Sequence, residues 1–209
     1  MTDVKTAIIS RDVIENAYTY DEYRELVDNL LEKNKTTGEN HSDSMLHYTK
    51  MNVHRMNRLD RRTELKEELV EKLEQLDRSL TWLILTEGWC GDAGQIIPVV
   101  QKMADQTKMI QTRFILRDEH LEIMDQFLTN GRARSIPKLI CLDSKTLDLL
   151  GEWGPRPDEA QKLFEDLKDN DEYSSREKAE KLHKWYADDK TASVQDEFIA
   201  LIEKWGNRE

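Results

Sequence analysis

Cys90 stands where two unlike stretches of chain meet. Leu83-Ile84-Leu85-Thr86 is an apolar run of strand type, Gly88-Trp89-Cys90-Gly91 is a turn, and Asp92-Ala93-Gly94-Gln95-Ile96-Ile97-Pro98 opens a helix-like stretch. A thiol so placed sits at a helix N-terminus, where unpaired backbone N–H groups and the macrodipole favour negative charge. A free cysteine ionises near pH 8.5, to an order of magnitude, and a helix N-terminus lowers that value. The thiolate is the nucleophile, so the residue order alone describes a candidate nucleophile. Asp92 acts in the opposite sense. A carboxylate in the first helical turn stabilises the helix but repels a thiolate two residues away. The sequence leaves the balance between these effects open.

The other residues with chemical potential are less ordered. His41, His47, His54, His120 and His183 show no spacing that pairs any of them with Cys90. Neither the two cysteines nor the five histidines have metal-ligand spacing, so no metal or cofactor is expected. Arg55, Arg58 and Arg62 fall on one flank of a helix and read as a solvated face rather than a docking surface for an anion. Met45 and Met56 read as core.

The elements that must position Cys90 follow from hydrophobic periodicity. Thr19-Tyr20-Asp21-Glu22 is a capping box. Tyr23, Leu26, Val27, Leu30 and Leu31 then recur at helical spacing. Lys35-Thr36-Thr37-Gly38 is a loop. Ser42 caps a second helix with Met45, Thr49, Asn52, Val53, Met56 and Leu59 on one face, and Thr63 caps a third with Leu65, Leu69, Leu73 and Leu76. Next come a strand over Thr81 to Glu87, continuous enough in apolar character to be buried on both faces, a helix over Asp92 to Gln106, and a strand over Ile110 to Arg117. Asp118 caps a helix ending near Asn130-Gly131. Pro137 to Leu142 and Leu147 to Trp153 form a hairpin, and Pro157 starts the next helix. Residues 172–209 read as two amphipathic helices, marked by Leu182, Trp185 and Tyr186, then by Val194, Phe198, Leu201, Ile202 and Trp205. The fold class is α/β, with a β-α-β-α-β-β-α order framed by added N- and C-terminal helices.

Three segments in this order resemble the thioredoxin superfamily. Trp89-Cys90-Gly91, with Pro98 eight residues after the cysteine, resembles its active-site segment. Arg134-Ser135-Ile136-Pro137-Lys138-Leu139-Ile140 resembles the segment carrying a cis-proline opposite the active cysteine. Gly154 follows, at the end of a strand that leads into a closing helix. The resemblance covers about residues 63–169 and extends to a poorly defined branch of bacterial thioredoxin-like proteins with a helical N-terminal extension. The domains expected are a thioredoxin-like core at 63–171, a helical extension at 1–62 and a C-terminal one at 172–209; the apolar stripes of the helices at 19–33 and 42–60 are too wide to be left in water, so the N-terminal extension packs on the core or on a partner subunit. The resemblance implies that Ile136-Pro137 is cis and adjoins the Cys90 sulfur, and that the Ile136 backbone can pair with a bound peptide.

The departures from the family pattern narrow the chemistry. Ala93 replaces the second active-site cysteine, Asp92 the intervening proline, and Ile84 the family's buried acid. An internal dithiol–disulfide cycle is therefore closed to this motif. If Pro137 adjoins Cys90, then Cys141 lies roughly 13 Å further along the strand, beyond the ~7 Å Cα separation a disulfide allows. The implied site is Cys90 as nucleophile, supported by Trp89, Gly91, Asp92, Ala93 and Pro137. Substrate would contact Ser135, Ile136, Trp153, Gly154 and Arg156. For Trp153-Gly154-Pro155-Arg156-Pro157 two readings stand: a pocket wall with a charge partner for a thiolate or anion, or a simple turn.

Composition bounds the function. Residues are 38% hydrophobic and 35% charged, which suits a small core wrapped in solvated helices. A net charge of −11 argues against nucleic-acid binding. No apolar run approaches the ~20 residues of a membrane span, and the Met1-Thr2-Asp3-Val4-Lys5 start with Ala7-Ile8-Ile9 lacks a secretory h-region. The expectation is a cytoplasmic monothiol protein exchanging with protein or low-molecular-weight thiols and disulfides. The rival expectation is a thioredoxin-fold binding or scaffold module without catalysis.

Overall fold

The computed structural model describes residues 8–206; the Met1–Ala7 start weighed above lies outside them. Strand β1 (Leu80–Thr86) is the hub, and all seven of its residues are buried. It pairs in parallel with β2 (Ile110–Leu116) and antiparallel with β3 (Lys138–Asp143), which pairs antiparallel with β4 (Leu149–Trp153). The sheet order is β2-β1-β3-β4. A parallel pair needs a crossover, and α5 (Ala93–Ala104) supplies it. The turn between β1 and α5 therefore lies at the C-terminal end of a doubly buried strand. This is the α/β arrangement expected for a thioredoxin-like core with additional helices.

The N-terminal helices are α1 (Arg11–Asn16), α2 (Tyr20–Glu32) and α3 (Asp43–Arg62). The Thr19–Glu22 capping box forms as the sequence requires. Tyr18 forms an antiparallel bridge with Phe114 on the outer edge of β2, and Tyr23 stacks on the Phe114 ring at 5.5 Å. Helix α3 packs along α5. Helix α4 (Glu67–Glu74) packs on α9 (Ala192–Gly206), and α7 (Asp158–Lys168) on α8 (Ser175–Asp189). Phe198 and Trp205 of α9 meet Trp82 of β1 at 5.4 and 6.4 Å. Each of these rings is buried, worth about 2–3 kcal/mol apiece. One buried cluster runs from Ile9 to Trp205, so the added helices share the core of the sheet. Among the described residues no helix is long and apolar enough to cross a membrane.

Three expected helix starts differ. Thr63 does not cap a helix; it ends α3, its N–H donating to the Leu59 carbonyl, and α4 begins after Lys66. The Lys66 N–H is satisfied by Gln195 of α9. Pro157 is the N-cap of α7 rather than its first helical residue, and the Asp158 N–H donates to Glu197, also of α9. Both starts are set by side chains more than 35 residues away in sequence, as the separations of 129 and 39 show. The helix expected from Asp118 to Asn130 is reduced to a 3₁₀ turn (Arg117–Glu119) and one short helix, α6 (Leu121–Met124). That turn already buries Ile123 and Met124, and Phe127 follows, so nothing further requires a helix there. The chain then reverses through left-handed Asn130 and Gly131.

Candidate functional site

The Cys90 turn is held from below by helix α3 and by the loop that precedes it. Asn52 of α3 donates its side-chain N–H to the Gly88 carbonyl at 3.0 Å, and the Gly88 N–H donates to Thr37 Oγ1 at 2.9 Å. The Cys90 N–H donates to the Glu87 carbonyl, and the Cys90 carbonyl accepts from Gly94. That last bond closes the turn that leads into α5, whose N-cap is Asp92. The second segment closes from the other side. Ile136-Pro137 is a cis peptide, as is Gly154-Pro155. The Cys90 thiol donates to the Ile136 carbonyl at 3.2 Å. Gly154 has φ +105, and any Cβ there would collide with the Pro137 carbonyl oxygen, so only glycine lets the third segment approach the second.

The electrostatic balance that the sequence left open falls on the side of the neutral thiol. Cys90 is 8% exposed, and burial, reinforced by the Asp92 charge, pushes its pKa up to about 12. The N–H groups of Ala93 and Asp92 and the Arg156 guanidinium pull the other way and lose. A donated S–H bond to a carbonyl is what a protonated sulfur makes. The helix N-terminus is real, but desolvation outweighs it. In the position of the family's buried acid, Ile84 packs with Ile96, Ile97, Val100, Leu139 and Trp153 around a void of about 10 Å³. A carboxyl there would have only apolar neighbours.

Asp92 is the centre of a buried polar network. Its Oδ2 pairs with Arg156 at 2.6 Å, and its Oδ1 accepts from the Tyr186 hydroxyl at 2.9 Å. Burial pushes the Asp92 carboxyl up, opposed by Arg156, Tyr186 and Arg55. Arg156 also donates to Gln161 and lies 3.9 Å over the Phe164 ring. His183 of α8 stands against Gly91 beside Gln95. Burial, with Arg55 and Arg156 adding to it, lowers the His183 pKa to about 4, so its ring is neutral at pH 7.

A groove of about 610 Å³ opens over the thiol. It brings together Trp89, Cys90, Gly91 and Asp92 from the first segment, Ser135 and Ile136 from the second, and Arg156 from the third. Ala93 is buried at the start of α5. Pro137 lies against the Ile84 void and Gly154 against Pro137. Trp153 does not line the groove. It is a core residue whose indole N–H donates to Glu197 and whose ring packs on Phe198. Cys141 is fully buried, opposite Trp82 in the sheet.

Several site residues escaped the sequence reading. Arg55 is half-buried and bonded to Asn52 rather than on a solvated face. Met45 is a groove wall with Tyr48, and not core, whereas Met56 is core. Tyr186 and His183 come from a helix nearly 100 residues away in sequence, the Tyr186–Asp92 bond spanning 94. The only signal for them was the Leu182, Trp185, Tyr186 face, which predicted packing but not its target.

The comparisons agree with this fold. The sequence matches the family described as Thioredoxin over residues 38–168. That span begins ahead of α3, so it takes in the helix that holds Gly88. The fold is similar to the crystal structure of a protein of unknown function from Pseudomonas aeruginosa, with a TM-score of 0.54 and 17% identity over 89% of this chain and 98% of that one. It is also similar to an HIV epitope-scaffold protein, with a TM-score of 0.52 and 17% identity over the same shares. No curated protein matches the chain. Sheet order, cysteine turn and matched span together make this chain a member of the thioredoxin family.

Proposed function

We propose that this protein is a monothiol thioredoxin-like exchanger, acting through Cys90 on thiols and disulfides. The observation that carries this reading is the placement of the sulfur. It lies at the first turn of α5, with the Asp92 and Ala93 amides donating to it, opposite the Ile136 carbonyl and at the base of the groove. Cys90 would attack a disulfide sulfur, and an external thiol would resolve the adduct, because Ala93 supplies no second sulfur. Trp89, Gly91, Ser135, Ile136 and Pro137 would frame the incoming disulfide.

The raised pKa sets the pace. At pH 7 a thiol near 12 is ionised far less than one near 8.5, by about 10³-fold or more. The more basic thiolate is the better nucleophile and recovers part of this, leaving exchange roughly 100-fold slower than for a free thiol. The same shift favours a second reading, a binding module in which Cys90 is inert.

Intact mass after exposure to bis(2-hydroxyethyl) disulfide at pH 9 separates the two. The wild type and Cys141→Ser should each gain a single adduct that added thiol removes, and Cys90→Ser should gain none. No adduct on the wild type, or an equal yield on Cys141, establishes the binding module instead.

A further inference from the structure

The groove over Cys90 carries the opposite charge from the rest of the molecule. The chain has a net charge of −11. Yet the groove is lined by Arg117, Arg134, Arg156, Lys168 and Lys178, with Asp92 as its one carboxylate. The three arginines are already engaged: Arg156 with Asp92, Arg134 with Asp125, and Arg117 with Asp118 while stacked over Trp89 at 5.0 Å. The two lysines are not. Lys178 donates to the Lys168 main-chain carbonyl at 2.9 Å, which sets the ends of α7 and α8 side by side. Neither ammonium has an ion-pair partner among the described residues. Two unneutralised cations in one groove of an acidic protein form a field for anions.

Size and access select among anions. About 610 Å³ falls within the range of small-ligand sites, roughly 300–1,000 Å³. Phe164, Leu167 and Leu182 give it an apolar side, and half-exposed Tyr48 stands at its rim. Cys90 is buried, 8% exposed as a residue, so a slender disulfide fits its sulfur better than one set in a folded protein surface.

We propose that the groove takes a low-molecular-weight disulfide or thiol bearing at least two carboxylates, held by Lys168 and Lys178 with its sulfur over Cys90. This rests on the exchange reading above. The step balances as Cys90–SH + R–S–S–R giving Cys90–S–S–R + R–SH. The Sγ–S bond forms as the substrate S–S bond breaks. The Cys90 sulfur is oxidised to the disulfide level, one substrate sulfur is reduced, and the proton lost by Cys90 reaches the departing thiolate through solvent. A second R–SH attacking the adduct releases R–S–S–R and restores Cys90.

Three probes of like length and different charge test this: dithiodipropionate (dianion), bis(2-hydroxyethyl) disulfide (neutral) and cystamine (dication). The rate of Cys90 adduct formation is read by intact mass, and each rate is divided by that of free cysteine with the same probe. The whole-molecule charge favours the dication. The groove predicts the reverse, with the dianion ahead of the dication by on the order of 10-fold at low salt and the gap closing at high salt. Lys168→Ala/Lys178→Ala, confirmed as folded by its melting curve, should narrow the dianion-to-neutral ratio. The wild-type series decides the matter even if that variant does not fold. Equal normalised rates, or cystamine ahead, overturn the anion site and leave the exchange reading standing. So does a disulfide-bonded client protein that outpaces all three probes. No adduct with any probe overturns the exchange reading and the anion site together.

Discussion

Asp92 occupies a place where the family has a proline, and its charge adds to the burial that keeps the neighbouring sulfur protonated. Burial is the larger cause of the raised Cys90 pKa and the Asp92 charge the second. The two separate by substitution. Asp92→Asn keeps the shape and an acceptor for Tyr186 but removes the negative charge, and it leaves Arg156 beside the thiol without its counter-ion. The Cys90 pKa should fall below about 12. Each unit of fall raises the thiolate fraction at pH 8 about tenfold. Breaking one side of a buried pair also costs on the order of 3 kcal/mol. The measurement is a pH profile of iodoacetamide labelling alongside a melting curve. A midpoint that stays put or rises shows that burial alone holds the thiol neutral. This residue-scale conflict was partly legible. The sequence put a carboxylate two residues from a helix-start thiol, but not how deeply both would be buried, which depends on a helix 94 residues away.

Helix α8 is the element that turns an open turn into a covered one. Its Leu182 and Tyr186 are buried, and its His183 ring lies where a Gly91 side chain would be. A Cβ on Gly91 would come within 2.9 Å of the ring, closer than real contacts allow. Gly91→Ala should therefore displace His183, loosen α8 from the site, speed Cys90 labelling and lower the melting temperature by several degrees, as a strained contact of about 1–3 kcal/mol would. Labelling and melting both unchanged would mean that α8 does not cover the thiol. Elements with strong local signals were legible: β1 from its unbroken apolar run, α2 from its capping box, α5 from the turn and Pro98. Those whose ends are fixed by distant side chains were not. Gln195 and Glu197 cap α4 and α7 from another helix, and no local pattern encodes that.

At the scale of the whole molecule, the same buried site makes stability depend on pH in two arms of opposite origin. His183 faces Arg55 and Arg156 as well as Gln95, and its folded pKa is lowered to about 4 from an ordinary 6.5. Its contribution is fully present above about pH 6.5 and is lost as pH falls toward 4, because the unfolded chain takes up a proton that the folded one refuses. The loss is on the order of 2–3 kcal/mol after solvent screening. Cys90 has the reverse sign. Its pKa is raised, so its contribution is present below about pH 8.5 and is lost as pH climbs toward 12. Burial raises the Cys141 pKa as well, which adds to the alkaline arm. The acid arm is not His183 alone. Glu87, Asp92 and Glu197 have raised pKa values and favour the folded state as pH falls, masking part of the histidine loss. A difference measurement removes them. The melting temperature of the wild type minus that of His183→Gln should fall as pH drops from 7 to 4. The same difference against Cys90→Ser should fall as pH rises from 8 to 11. A His183→Gln difference that stays flat over the acid range would mean the imidazole is free to protonate in place. In that case α8 would not seal the network beneath Cys90, and the neutral thiol would need a cause other than burial.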